Sequence, residues 1–161
     1  MENESAKRKT YTPQQARVKA ESYCAYQERS QQEMRDKLYQ WGLHYSDVEQ
    51  TISELIQSNF LNEERFAMAY AQGKFRIKGW GKRKIKQALK FKQVPEKLIL
   101  KALNNLDADE YLNKLADVID KKMVLIKETD AFKRRYQLSQ FAQMRGFEPD
   151  LIAEVLKDKG L

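Results

Sequence analysis

The chain has 161 residues, a net charge of +7, one His and one Cys, with 42% hydrophobic and 33% charged residues. A lone cysteine excludes an intrachain disulfide, and a lone histidine removes most zinc arrangements. A mean hydropathy of −0.78 and the lack of any apolar run of about 18 residues argue against export and membrane insertion, so the expected setting is a reducing cytoplasm.

Residues 1 to 10 are polar and charged and read as a flexible leader. Thr12, Pro13 and Gln15 then supply a cap, a first-turn proline and a capping-box partner for a helix running to about Glu28, with Ala16, Ala20, Tyr23 and Cys24 on one side. Ser30 with Glu33 opens a second helix carrying Met34, Leu38 and Trp41 and ending at Gly42. Ser46 with Glu49 reads as a third capping box, followed by Val48, Ile52, Leu55 and Ile56 on one apolar face. Asn62 caps a fourth helix with Phe66, Ala69, Tyr70 and Gly73 on its face, and the chain breaks at Gly79 to Gly81. A fifth helix buries Ile85, Ala88 and Leu89. Val94 and Pro95 start a sixth, with Leu98, Ile99, Ala102, Leu103 and Leu106 inside. Asp107 with Glu110 opens a long seventh, striped with Leu112, Leu115, Ile119, Met123 and Ile126. Thr129 caps an eighth bearing Leu138, Phe141 and Ala142, which stops near Gly146, and Pro149 begins a ninth with Leu151, Ile152, Val155 and Leu156.

All three prolines fall where helices start, and no hairpin signal or sustained period-two alternation is present, so the expected fold is all-α. Residues 38–55, 89–103 and 141–156 share one scheme: an apolar residue, a short break, a helix start, then a similar apolar spacing. Each pattern fits the last two helices of a three-helix unit. The expected domains are a leader (1–10) and modules 11–61, 62–106 and 107–161, in an elongated, curved arrangement.

Charge is not spread evenly. Residues 66–95 hold nine Lys or Arg and no acid, a local charge of +9 against +7 for the whole chain. Such a block calls for a polyanion or an acidic protein surface. On the fifth helix Lys82, Arg83, Lys86 and Lys90 fall within about 100° of arc, flanking the side that buries Ile85 and Leu89. The competing reading is an ordinary solvated face. Trp80, between two glycines, either stacks on a partner or plugs the space between the first two modules. Lys121, Lys122, Lys133, Arg134 and Arg135 form a second cluster that reads as solvated surface, Trp41 reads as core, and Cys24 as a small buried hydrophobe. His44 has no second histidine, and no nucleophile, acid–base or phosphate-cradling pattern is visible, so the chain does not read as an enzyme.

Two stretches, 29–42 and 60–89, carry a resemblance to the RecX family, bacterial regulators of the RecA recombinase. Leu61, Asn62, Arg65, Phe66 and Ala67 are similar to that family's Leu-Asn-Asp-x-Arg-Phe-Ala signature, and Gly81, Ile85 and Leu89 to its Gly-x-x-x-Ile-x-x-x-Leu pattern. Departures are Glu63 for Asp, Ala88 for Glu, and Gln93 where a glycine commonly precedes the module's third helix. The resemblance spans about residues 15–157. It implies three three-helix modules that lie in the groove of the RecA filament on DNA, lower ATP hydrolysis and strand exchange and favour disassembly, without catalytic residues or cofactors. The expected contact residues are Lys74, Arg76, Lys78, Trp80, Lys82, Arg83, Lys84, Lys86 and Lys90, and the expected partners are the RecA filament and single- or double-stranded DNA. Direct DNA binding in competition with the filament remains the alternative. The chain is expected to be a monomer, with no membrane partner.

Overall fold

The computed structural model describes residues 10–161, so all of the expected leader except Thr10 lies outside the described residues. Nine α-helices and no strand occur among them. They are α1 (Pro13–Tyr26), α2 (Gln31–Gln40), α3 (Tyr45–Gln57), α4 (Glu63–Arg76), α5 (Lys82–Phe91), α6 (Glu96–Asn104), α7 (Ala108–Leu125), α8 (Ala131–Met144) and α9 (Pro149–Asp158). This is the all-α fold of successive three-helix modules. The described backbone divides into two compact units, the first ending at Phe66 and the second running from Ala67 to Leu161.

The repeat is visible in the backbone itself. The second helix of each triplet ends in the same left-handed turn, at Gly42 (φ 91°), Gln93 (φ 62°) and Gly146 (φ 97°). In each turn that residue donates its N–H three residues back, and the next residue donates five back: Gly42 to Tyr39 and Leu43 to Leu38, Gln93 to Lys90 and Val94 to Leu89, Gly146 to Gln143 and Phe147 to Ala142. This pairing satisfies carbonyls that the helix end would leave without partners. Leu43, Val94 and Phe147, one step beyond, are all buried, so each turn also pins an apolar side chain into its core. Gln93 adopts the conformation that the missing glycine would favour, at a steric cost that a glycine does not carry.

In the first unit Ala16, Ala20, Cys24, Met34, Leu38, Leu43, Val48, Ile52, Leu55 and Leu61 form one core, with Tyr11, Tyr23, Trp41 and Phe60 packed against it. Burial raises the Cys24 thiol pKa, and its Sγ lies 3.8 Å from Met34 Sδ. Both expected capping boxes at Thr12/Gln15 and Ser30/Glu33 are formed. Arg65, from the signature-like stretch, pairs with Glu28 at 2.5 Å and donates to the carbonyls of Asn59 and Phe60, tying the exit of α3 to the end of α1.

Several expectations are corrected. Helix α1 stops at Tyr26, two residues short of Glu28. Ser46 and Glu49 make no box: α3 starts two residues earlier than that cap implies, after His44, and Glu49 instead holds Arg35 through two hydrogen bonds of 2.8 and 3.3 Å. The turn at Gly42–Leu43 fixes where α3 can begin, and this outweighs the local Ser-x-x-Glu signal. Ile56 is exposed. On α4 the apolar face runs through Ala67, Ala71 and Phe75, whereas Ala69 is exposed and Tyr70 and Gly73 are only half-buried. The large Phe75 sets that register. Pro95 is the N-cap of α6, and Asp130, not Thr129, caps α8 by accepting from the Lys133 N–H at 3.0 Å. On α5 and α6 Ala88 and Leu98 are half-buried, and on α7 Leu112 and Met123, with Ile126 at its C-cap, are half-buried beside the fully buried Leu115 and Ile119.

In the second unit α7, α8 and α9 pack on one another and α5 packs on α6. An aromatic run links the end of α4, α7 and the α8–α9 turn. Phe75 stacks on Tyr111 with ring centroids 5.7 Å apart, and Tyr111 lies 5.3 Å from Phe147.

Candidate basic interface

Helix α5 begins at a disadvantage. Its N-cap is Gly81, which has no side chain to cap with, its first turn contains no acid, and Lys82, Arg83 and Lys84 set positive charge against the positive end of the helix dipole. The missing caps come from the last third of the chain. Gly81 N–H donates to the Arg145 carbonyl at 2.8 Å and Arg83 N–H to the Gly146 carbonyl at 3.0 Å. Lys82 N–H donates to the Tyr111 hydroxyl at 2.9 Å, and that hydroxyl donates to the Glu148 carboxylate, whose oxygens both lie at 2.9 Å. Burial first, and the neighbouring Glu148, push the Tyr111 pKa well above the usual tyrosine range, with the Lys82 N–H pulling the other way. The phenol therefore stays protonated and works as a relay, carrying a carboxylate's preference for a helix N-terminus through one hydroxyl.

Two glycines make the approach possible. A Cβ on Gly81 would lie 2.4 Å from the Gly146 backbone, and one on Gly146 would lie 2.4 Å from Lys84 Cβ and 2.6 Å from its nitrogen. Real Cβ atoms do not come so close. Gly81, legible in the sequence only as part of a break, is thus the site of a backbone crossing.

The crossing sorts the expected contact residues. Arg83 and Lys90 stand exposed along the outer edge of α5, and Lys78 is exposed in the loop before it, while Ile85 and Leu89 are fully buried. Lys82 is half-buried with its ammonium 5.0 Å from the Tyr111 ring centre. Lys86 reaches Glu96 at 3.7 Å. Trp80 is half-buried, with Lys74 at 5.0 Å and Lys84 at 4.6 Å from its ring centre, so two of the cations and the tryptophan form one cluster. Arg76 turns away, pairing with Glu110 at 3.3 Å while its carbonyl accepts from Lys114 at 3.1 Å. The block accordingly presents Lys78, Arg83 and Lys90 as exposed charges, with Arg76 also exposed but engaged by Glu110.

Sequence reading missed Phe91, which lies 89% exposed at the end of α5 among these lysines. A signal was available: Phe91 falls outside the Ile85/Leu89 register, so a large apolar side chain had to face away from the core. Tyr111, Arg145 and Glu148 were also missed, because nothing local to α5 shows that its caps lie 29 to 64 residues further along. The second basic cluster is not uniform either, since Arg135 donates to the Leu161 carbonyl. His44 is exposed at the start of α3, and no group of His, Cys, Asp and Glu able to hold a metal occurs among the described residues. No helix among them is long and apolar enough to cross a membrane.

Family models described as the first, second and third three-helix domains of RecX match residues 16–55, 62–103 and 109–156. The chain is 30% identical over 131 residues to the regulatory protein RecX of Clostridium perfringens (strain 13 / Type A), covering 80% of this chain and 61% of that protein. It is 30% identical over 135 residues to the regulatory protein RecX of Thermotoga petrophila, covering 81% and 76%. Its backbone is similar to the crystal structure of RecX from Lactobacillus salivarius with a TM-score of 0.82 at 20% identity, over 91% of this chain and 95% of that one. The chain thus spans about three fifths of the length of the Clostridium relative.

Proposed function

Since the chain belongs to the RecX family of regulatory proteins, we propose that it modulates a RecA recombinase by binding the RecA–DNA filament, lowering ATP hydrolysis and strand exchange and so regulating recombinational repair. The second module supplies most of the electrostatic contact, through Lys78, Arg83 and Lys90 with the Lys74–Trp80–Lys84 cluster beside them. The observation that carries this reading is the outward-facing basic edge of α5, held on a helix start that is capped entirely from elsewhere in the chain. A helix anchored in this way presents its charges with little ordering cost on binding. Neutralised phosphates release counterions, and acidic protein patches are attracted by the same charges, so affinity falls with salt in either case.

The test is ATP hydrolysis by the cognate RecA on single-stranded DNA, titrated with this protein at fixed salt and with DNA in large excess. Inhibition that persists when free DNA cannot be depleted supports filament binding. Inhibition that disappears with excess DNA overturns it in favour of a second reading, direct binding of single- or double-stranded DNA in competition with the recombinase. Exposed Phe91 beside Lys90 is the observation that favours that alternative, because bases stack on accessible aromatic rings.

A further inference from the structure

A second basic feature of the second unit lies away from the outer edge of α5. The segment leaving α4 (Ile77 to Gly79), the middle and end of α7, and α8 enclose an open cleft of about 430 Å³. Its apolar surface comes from Ile77, Val118, Leu125 and Phe141, of which Ile77 is 82% and Leu125 72% exposed. Five cations line it, Lys78, Lys114, Lys121, Lys122 and Arg145, against the one carboxylate of Asp117, which Lys121 engages at 3.1 Å.

Two of these cations are fixed by hydrogen bonds that leave their charge in place. Lys114 Nζ donates to the Arg76 carbonyl at 3.1 Å, and Arg145 Nη1 to the Lys78 carbonyl at 3.1 Å. A carbonyl lone pair orients a cation without neutralising it, so the cleft keeps a strong positive potential beside exposed aliphatic surface. Phe141, its one aromatic, already has Lys122 4.9 Å and Arg145 5.1 Å from the ring centre. Those cations occupy the ring that a nucleobase would need to stack on. The remaining apolar surface is aliphatic and suits a branched hydrocarbon side chain better than a base.

We propose that this cleft docks an acidic polypeptide segment that inserts an aliphatic side chain between Ile77 and Leu125 while its carboxylates meet Lys114, Lys122 and Arg145. Charge complementarity selects the acidic segment, and the aliphatic surface distinguishes it from a simple polyanion. The cleft shares Lys78 with the basic block, but its lining includes neither Arg83 nor Lys90, and binding there requires no recombinase, so variants at Leu125 and Lys122 test it independently of the function proposed above.

The experiment is fluorescence anisotropy of the full chain with three labelled probes: a Glu-rich peptide with a central Leu pair, the same peptide with Ala in place of Leu, and oligothymidylate. The Leu peptide should bind at least about tenfold more tightly than the Ala peptide, in line with burial of one aliphatic side chain. Leu125→Glu and, separately, Lys122→Glu should each remove that preference, and Arg83→Glu should leave it unchanged. Leu125 is exposed, so its replacement leaves the core intact, and circular dichroism verifies this. Equal binding of the two peptides overturns the proposal, as does a Leu preference that survives both cleft variants. Oligothymidylate binding that Leu125→Glu abolishes also overturns it, and makes the cleft a nucleic-acid groove.

Discussion

The Tyr111 hydroxyl accepts the Lys82 N–H at 2.9 Å and donates its own O–H to the Glu148 carboxylate, so one phenol caps a helix that begins 29 residues before it. Replacing Tyr111 with Phe keeps the ring in the aromatic run but strands a buried N–H and removes the carboxylate's partner. Loss of such a buried partner costs about 1–3 kcal/mol. Chemical denaturation should therefore show Tyr111→Phe less stable by that amount. Glu148→Gln, which keeps an acceptor for the phenol, should lose less.

The same group sets a pH dependence. Its folded pKa is raised, chiefly by burial, so its contribution is fully present below the ordinary tyrosine value of about 10 and is lost as pH rises beyond it. Above that value the unfolded chain gives up the phenolic proton while the folded chain keeps it, which favours unfolding. Lysines titrate in the same range, so the informative quantity is the stability of the wild type minus that of Tyr111→Phe. That difference should be flat from pH 7 to about 9 and shrink above about 10. A difference that stayed constant to high pH would show the phenol to be no better protected than in the unfolded chain.

Backbone contact at Gly81 allows a harsher test. A methyl group there would stand 2.4 Å from Gly146 carbonyl atoms, which belong to a turn fixed by its own hydrogen bonds and cannot yield cheaply. Gly81→Ala should cost about 1–3 kcal/mol or more by overpacking. Gly73→Ala, where nothing lies within 4 Å of the added atom, should be neutral or mildly stabilising in a helix interior. Comparing the two by thermal unfolding separates steric contact from loss of glycine's flexibility.

These features explain what could and could not be seen in the sequence. Helix starts with a side-chain cap and a following Glu or Gln, such as Thr12 and Ser30, were legible because cap and helix lie within four residues. The threefold repeat was legible because the turns at 42, 93 and 146 each need a left-handed residue followed by a buried apolar one. The register of α4 was misplaced because its alanines and glycine give little contrast, and only the packing of Phe75 decides the face. Across residues 66–95 the sequence showed nine charges but not their sorting, since Lys82, Lys84 and Lys86 on α5 are drawn to Tyr111, Trp80 and Glu96, partners that helical spacing alone does not assign.

Gln93 gives a prediction of opposite sign. It holds the left-handed turn that Gly42 and Gly146 hold in the other two triplets, and a side chain there costs about 1–2 kcal/mol. Glycine removes that strain but adds about 0.5–1 kcal/mol of chain entropy to the unfolded state. The balance favours Gln93→Gly by about 0.5–1 kcal/mol. A melting temperature raised by a few degrees is expected, and one that fell would show that the Gln93 side chain makes a compensating contact.

The outer edge of α5 yields the prediction closest to function. Arg83 and Lys90 are exposed and lie about 20° apart on the helical wheel, with Phe91 about 80° beyond Arg83. Reversing both charges, Arg83→Glu with Lys90→Glu, leaves Ile85 and Leu89 buried, so helical content should not change. Under the function proposed above, inhibition of RecA ATPase should then require about tenfold more protein, with a shallower dependence on salt. Phe91→Ala removes an aromatic that contributes almost nothing to the core, so its effect on stability should stay within about 0.5 kcal/mol. If the ring is an anchor at the same surface, that single change should weaken filament binding by about tenfold as well, because a desolvated aromatic concentrates interface energy in one residue. A Phe91→Ala protein as potent as the wild type, alongside a weakened charge-reversal variant, would limit the contact to electrostatics and leave Phe91 facing solvent in the complex.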